Sequence, residues 1–286
     1  ALQREFAQAE ADAKTEKERF TPELTKAAEK LAGTKFASLQ AALRVILPSQ
    51  HRKPGNAERD ASRHPLETLQ FFGVTPKSQV LEYGPGEGWV TEILAPLLAT
   101  QGKLYATTTD PKGSREVRAT LYAERFALFL DKSPALYGKV QSVVIDPAQP
   151  NLALDGAIDV ALVFRGVHGM VNSGSLNAWL STIHTALKKN GVLGIEQHRA
   201  KPDAEPLASA KTGYIPEAWL IAQIEAAGFK LAKKSEINAN PKDTTVHEGG
   251  VWALPPTLRN GEKDRADYLA IGESDRMTLK FTKVSK

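Results

Sequence analysis

Val80-Leu81-Glu82-Tyr83-Gly84-Pro85-Gly86-Glu87-Gly88-Trp89 runs from an apolar strand, through an acid and three glycines, into a helical pattern. Glycine lets the backbone turn sharply and lets a ligand approach the main chain with no Cβ in the way. The helix that follows presents free N–H groups and a positive dipole end, suited to an anionic group. In an open α/β sheet such a loop lies at the carboxyl edge of the strands, where ligands bind. A glycine-rich turn without a ligand is the structural alternative.

Outward from this stretch, strand and helix patterns alternate. Strands are predicted over 79–83, 103–108, 140–145, 157–164, 192–197 and 229–237, with a seventh over 277–284. Helical periodicity lies between them, over 89–99, 114–130, 176–188 and 216–227. Alternation of this kind implies an α/β fold, a mostly parallel sheet covered by helices on both faces. Residues 1–50 read as a helical N-terminal extension rich in Ala, Glu, Lys and Gln, with Thr21-Pro22-Glu23 as a cap and first helical proline. That extension is either a packing appendage or a contact for a homodimer. A polar linker around Pro54-Gly55-Asn56 opens the main domain, 51–286, and within the charged stretch 57–72 that follows, Leu66, Leu69 and Phe72 recur at helical spacing. Residues 238–276 form a long insert before the last strand, of the length that lids and binding loops have. Trp252 within it argues for order, because a large ring needs somewhere to bury.

The chain has 286 residues, 42% hydrophobic and 24% charged, which excludes wholesale disorder. No apolar run approaches the length of a membrane span. Thirty-seven basic against 33 acidic residues leave a net charge of +4, scattered without an Arg-rich arm, so no nucleic-acid partner is expected. The absence of cysteine excludes disulfides, thiolate metal sites and cysteine nucleophiles. The chain opens on Ala1 without a Met, as a trimmed start or a removed signal peptide would leave it.

Dinucleotide enzymes use G-x-G-x-x-G, whereas here the third glycine, Gly88, comes one residue early. Glu82 at the strand end would face a pyrophosphate badly; it suits a ligand with an amino group. The run Glu82-x-Gly84-x-Gly86-x-Gly88 therefore resembles motif I of the class I methyltransferases, whose cofactor is S-adenosylmethionine. The seven strands with a reversed last hairpin fit that family's Rossmann-like sheet. The resemblance implies cofactor contacts at Glu82, Gly84, Gly86 and Gly88. The family's second acid, at the end of strand two, is replaced by Thr107-Thr108-Thr109, with Asp110 following as the carboxylate that would restore the ribose grip. Asp146, after strand three, is either an adenine-side contact or a turn former before Pro147.

Further stretches resemble a bacterial family of predicted methyltransferases, many of whose members carry signal peptides. They include Arg59-Asp60 with Arg63-His64-Pro65, Phe71-Phe72-Gly73-Val74, His198-Arg199-Ala200, Gly213-Tyr214 and Asn238-Ala239-Asn240-Pro241-Lys242-Asp243. This resemblance covers the chain from about Asn56 onward and implies a periplasmic or exported location, with a cytoplasmic one as the alternative. Export would separate the protein from the cytosolic supply of cofactor. The competing reading is thus an exported relative that has lost methyl transfer and handles another ligand.

Two histidines stand at predicted strand ends, His168 after strand four and His198 after strand five. Neutral imidazole suits a base toward an oxygen or nitrogen acceptor, so both are candidate catalytic residues, with loop-bonding histidines as the structural alternative. Arg165 and Arg199 would hold an anionic small-molecule substrate or pair with nearby carboxylates. Tyr214 and Trp252 are candidate walls of the substrate pocket, with plain packing as the structural alternative. No H-x-H or H-E-x-x-H spacing supports a metal, and no G-x-S-x-G supports an α/β-hydrolase.

Overall fold

The computed structural model describes residues 2–284. Three helices come first: α1 (Leu2–Arg19), α2 (Pro22–Ala32) and α3 (Leu39–Ile46). Short helices α4 (Asp60–Arg63) and α5 (Pro65–Phe72) precede β1 (Gln79–Tyr83), α6 (Thr91–Leu98) and β2 (Lys103–Thr108). Then follow α7 (Arg118–Asp131), α8 (Pro134–Tyr137), β3 (Gln141–Val144), β4 (Ile158–Phe164), α9 (Val167–Asn172) and α10 (Leu176–Ala186). The chain continues through β5 (Leu187–His198), α11 (Pro206–Lys211), α12 (Glu217–Ala226), β6 (Phe229–Ser235), α13 (Arg265–Ile271) and β7 (Arg276–Lys283).

The seven strands form one mixed sheet in the order β3-β2-β1-β4-β5-β7-β6. β2 pairs in parallel with both β1 and β3, whereas β7 runs antiparallel to its neighbours β5 and β6. The α/β class, the strand count and the reversed last strand all stand as predicted.

Two compact units divide the chain. The first comprises residues 1–60, 73–147 and 158–160; the second comprises 61–72, 148–157 and 161–286. In the first, α1 buries Phe6 and Ala9 against Leu121 of α7. Arg118 bonds Glu5 with both terminal nitrogens, and Arg115 reaches Glu10. Phe6 and Ala9 of α1 are thus packed within their own unit.

Two features of residues 49–72 emerge only in the fold. Leu66, Leu69 and Phe72 fall on α5, which starts at Pro65 after a break from α4 at His64, where φ is 43°. Proline disfavours the helical region for the residue before it, and the chain turns there instead. Part of the polar linker is also buried. His51, Arg52 and Asn56 are at most 4% exposed, docked on Glu92 of α6, which is fully buried. Arg52 Nε donates to Glu92 Oε1 at 2.9 Å and its terminal nitrogens bond Asp60. Asn56 Nδ2 and the Lys53 N–H complete the carboxylate, at 3.0 and 3.1 Å. The Trp89 indole in turn donates to the Asn56 carbonyl at 3.0 Å, tying this segment to the end of the glycine loop.

Candidate functional site

In the first unit the glycine loop takes the shape its residues foretell. Gly84, Gly86 and Gly88 have φ of 55°, 58° and 81°, all left-handed. They divide the work between them. A Cβ on Gly84 or Gly86 would meet no atom within 4 Å, so these two leave open space beside exposed main chain. A Cβ on Gly88 would sit 2.5 Å from Phe129 Cε2, so this glycine serves close packing against α7. Glu82 is 2% exposed, and its Oε2 accepts from Thr91 Oγ1, at the start of α6, at 2.8 Å. The carboxylate therefore lies beneath the loop and ties β1 to α6. Glu87, at the loop's crest, faces Lys53 at 3.5 Å and Arg125 at 3.8 Å.

The threonines at the end of β2 have duties of their own. Thr107 Oγ1 accepts the Gly84 N–H at 2.9 Å, pinning the first turn of the loop. Thr108 and Thr109 donate to the carbonyls of Thr109 and Ala119. Asp110 is exposed, with one oxygen accepting the Lys112 N–H at 2.8 Å in a turn of its own. Asp146, two residues past β3, is exposed as well. Thr107→Val keeps the side chain's shape and deletes the acceptor. It is expected to cost about 1 kcal/mol and loosen the loop. Urea unfolding, with hydrogen exchange at the Gly84 amide, checks this; unchanged exchange would remove the pinning role.

In the second unit four of the sequence candidates meet. His168 lies 5.9 Å from His198 and 5.7 Å from Trp252, measured between ring centroids, and His198 lies 6.1 Å from Tyr214. Gln197, which sequence reasoning passed over, organises them. Its Oε1 accepts the Val167 N–H at 3.1 Å, and its Nε2 donates to the Gly213 carbonyl at 2.9 Å. The amide orientation is thereby set, and the remaining N–H points to His168 Nδ1 at 3.3 Å. Nδ1 must then be the acceptor, which places the proton of neutral His168 on Nε2. In that form His168 offers a donor rather than a base. Burial holds its pKa below the usual histidine range.

His198 is more deeply set. Its Nδ1 shares a 2.6 Å hydrogen bond with Ser274 Oγ. Burial, then His168 and the guanidiniums of Arg165, Arg276 and Arg63, push its pKa well below 6.5, so it is neutral. Trp252 stays half-buried, with Arg259 stacked 4.6 Å from its ring.

Two of the candidates, Tyr214 and Arg199, make contacts that are structural. Tyr214 is 1% exposed and donates its hydroxyl to Asp243, which also bonds His247 at 2.7 Å and the main-chain N–H groups of Thr245 and Asp275. Tyr214 is a strut that ties the turn after α11 to the insert. Arg199 takes the pairing alternative: it is ion-paired to Glu217, Glu236 and Asp275 at 2.6–3.0 Å. Arg165 is different. Only Nη1 engages a carboxylate, that of Glu196 at 2.7 Å, and its side chain is 20% exposed. Among the described residues no group of three or more His, Asp or Glu is arranged to hold a metal ion, and no helix is long and apolar enough to cross a membrane.

No family model matches the chain, and no curated protein matches it in sequence. Solved structures do. The chain is similar to a SAM-dependent methyltransferase from Aquifex aeolicus, with 16% identity over 81% of this chain and 94% of that one, at a TM-score of 0.52. It is also similar to the (4+2)-cyclase SpnF, with 15% identity over 83% and 86% of the two chains and a TM-score of 0.57. At such identities the likeness is one of fold. The chain has the Rossmann-like fold of the class I methyltransferases, as motif I led one to expect.

Proposed function

We propose that the chain is an S-adenosylmethionine-dependent methyltransferase acting on a small-molecule acceptor. The observation that carries this reading is the open main chain at Gly84 and Gly86, set between a strand ending in Glu82 and the N-terminus of α6. That loop suits a cofactor that lies against backbone. Gly84 and Gly86 would line it, Gly88 and Glu82 would hold the loop's shape, and Asp110 and Asp146 would supply exposed carboxylates beyond β2 and β3. The bound cofactor would provide an electrophilic methyl group on a sulfonium. The chain's part is then to orient the acceptor, exclude water and manage its proton. His168 Nε2–H would donate to and orient the acceptor, and neutral His198 would be the base. Export remains a proposal resting on the sequence resemblance.

The test is calorimetric titration of the dialysed protein with S-adenosylmethionine and S-adenosylhomocysteine, paired with thermal shift. At ~100 times its Kd a ligand should stabilise the fold by about 2.7 kcal/mol. Micromolar binding, weakened at least about tenfold in Glu82→Ala without loss of the folded state, is the expected result. Failure to bind at millimolar concentration would reject the cofactor assignment. It would turn attention to a relative that has lost methyl transfer, the Thr107–Thr109 replacement being its cause.

A further inference from the structure

The second unit carries a cluster of buried charge that the functional reading leaves unused. Arg63 at the end of α4, Arg165 just past β4 and Arg276 at the start of β7 converge on Glu196 and Glu273. Arg63 Nε bonds both oxygens of Glu273 at 2.9 Å. Arg276 meets Glu196 at 2.7 Å, Glu273 at 2.5 Å and the Ser62 carbonyl at 2.5 Å. Arg276, Glu196, Arg63 and Glu273 are each no more than 9% exposed.

Among the described residues these ion pairs join three guanidiniums to two carboxylates, and the third guanidinium, Arg165, stands at the cluster's half-buried edge, where an anion would meet its charge. The strain is visible within the cluster. Glu196 Oε1 and Arg276 Nε face each other without hydrogen-bond alignment, and neither has another hydrogen-bond partner. Burial first, and then the nearby Arg165, lower the Arg63 pKa to about 9 against the opposing pull of Glu273 and Glu196. The neighbouring imidazoles do not offset the Arg165 charge, since neutral histidine brings no negative charge.

Arg165 is where the cluster reaches solvent. It is a non-glycine residue at φ 53°, a conformation that costs energy and is retained where a particular placement is needed. Its main-chain N–H donates to the Glu196 carbonyl at 2.6 Å, holding the turn. Glu196 takes one terminal nitrogen of the guanidinium; Nε and Nη2 have no hydrogen-bond partner among the described residues. That pair of donors on one edge matches the two oxygens of a carboxylate or phosphate. Three residues further on in sequence stands His168, packed T-shaped with the Trp252 ring.

We infer that the second unit binds a small molecule bearing an oxyanion, with the free edge of Arg165 gripping that group and its charge drawing it in. This rests on the methyltransferase reading only for the name acceptor; the binding itself needs no cofactor.

The test uses the whole chain without cofactor. Benzoate and inorganic phosphate are titrated separately, following melting temperature and the His168 imidazole signals by NMR, at constant ionic strength. Saturable binding at millimolar or lower concentration is expected, with the His168 signals moving and its pKa rising as an anion arrives. Benzoate alone would identify a carboxylate ligand, phosphate alone a phosphorylated one, and either supports the inference. Arg165→Gln should weaken binding at least about tenfold. Arg165→Lys, which keeps the charge and loses the fork, should fall between it and the wild type. The exposed Lys230→Gln should change nothing. No saturable response to either anion in the wild type, or equal binding in all three variants, overturns the inference. Anion binding without S-adenosylmethionine binding would sink the methyltransferase reading alone. The reverse pattern would sink only this inference.

Discussion

Arg52→Ala is expected to lower the unfolding free energy by about 3–5 kcal/mol, the range for removing one partner of a buried ion pair. Its target, Glu92, has a side chain that is 0% exposed, and its pKa is already raised by burial even with Arg52 beside it. Without the guanidinium, only Asn56 Nδ2 and the Lys53 N–H would remain on that carboxylate. Asp60 would lose its partner too. The measurement is a urea melt at neutral pH, compared with Arg52→Met/Glu92→Gln, in which no charge is stranded. The double variant should recover a large part of the loss. A single-variant loss below about 1 kcal/mol would mean that the pair behaves as a surface bridge.

The second large effect is acid lability above the carboxylate range. His51 is 0% exposed, its Nε2 bonded to the Glu92 carbonyl at 2.8 Å and its Nδ1 to Ser49 Oγ at 3.0 Å. Burial first, then Lys132, Arg52 and Arg19, bring its pKa down from 6.5 to about 4. Between those values the unfolded chain accepts a proton that the folded chain refuses. Stability contributed by neutral His51 is therefore complete above pH 6.5 and is lost progressively as pH falls toward 4. Full passage through that window is worth about 3 kcal/mol. His198 and His168 shift in the same direction and add to it. Glu92, whose pKa is raised, works with the opposite sign, so the clean measurement is a difference. The stability gap between wild type and His51→Gln should shrink by about 3 kcal/mol from pH 7 to pH 4. A constant gap would show that His51 takes up its proton in the folded state.

What could be read from the sequence follows the range of the forces involved. β1 and β2 have the predicted bounds, and the other helix and strand ends of the α/β alternation mostly fall within a few residues, because local periodicity and glycine chemistry set them. β5 is the exception, starting at Leu187 rather than at 192. The glycine loop was legible for the same reason. The linker's burial was not: Arg52 finds Glu92 across 40 positions, and a run of polar residues looks alike whether its partners are water or a buried carboxylate. Arg63 and Glu273 are 210 positions apart, and only the topology brings them together. Thr107 registered as the loss of a ribose acid, whereas its hydroxyl gives the loop an acceptor it needs. Gln197 carried no signal at all. It is the residue just before His198, and its importance lies in three hydrogen bonds that only the folded chain discloses.

The position of β7 has a consequence for how the molecule is made. It lies between β5 and β6, both of which leave the ribosome before it, and pairs with each. About 40 residues separate the end of β6 from its start. At ~5–20 residues per second, β6 therefore waits some seconds of translation with no strand to bond. The same late segment brings Glu273, Ser274 and Arg276, the partners of Arg63, His198 and Glu196. A nascent chain stalled just short of residue 273 would expose a sheet edge and strand charges meant for the interior, making those seconds an interval in which a chaperone has much to shield.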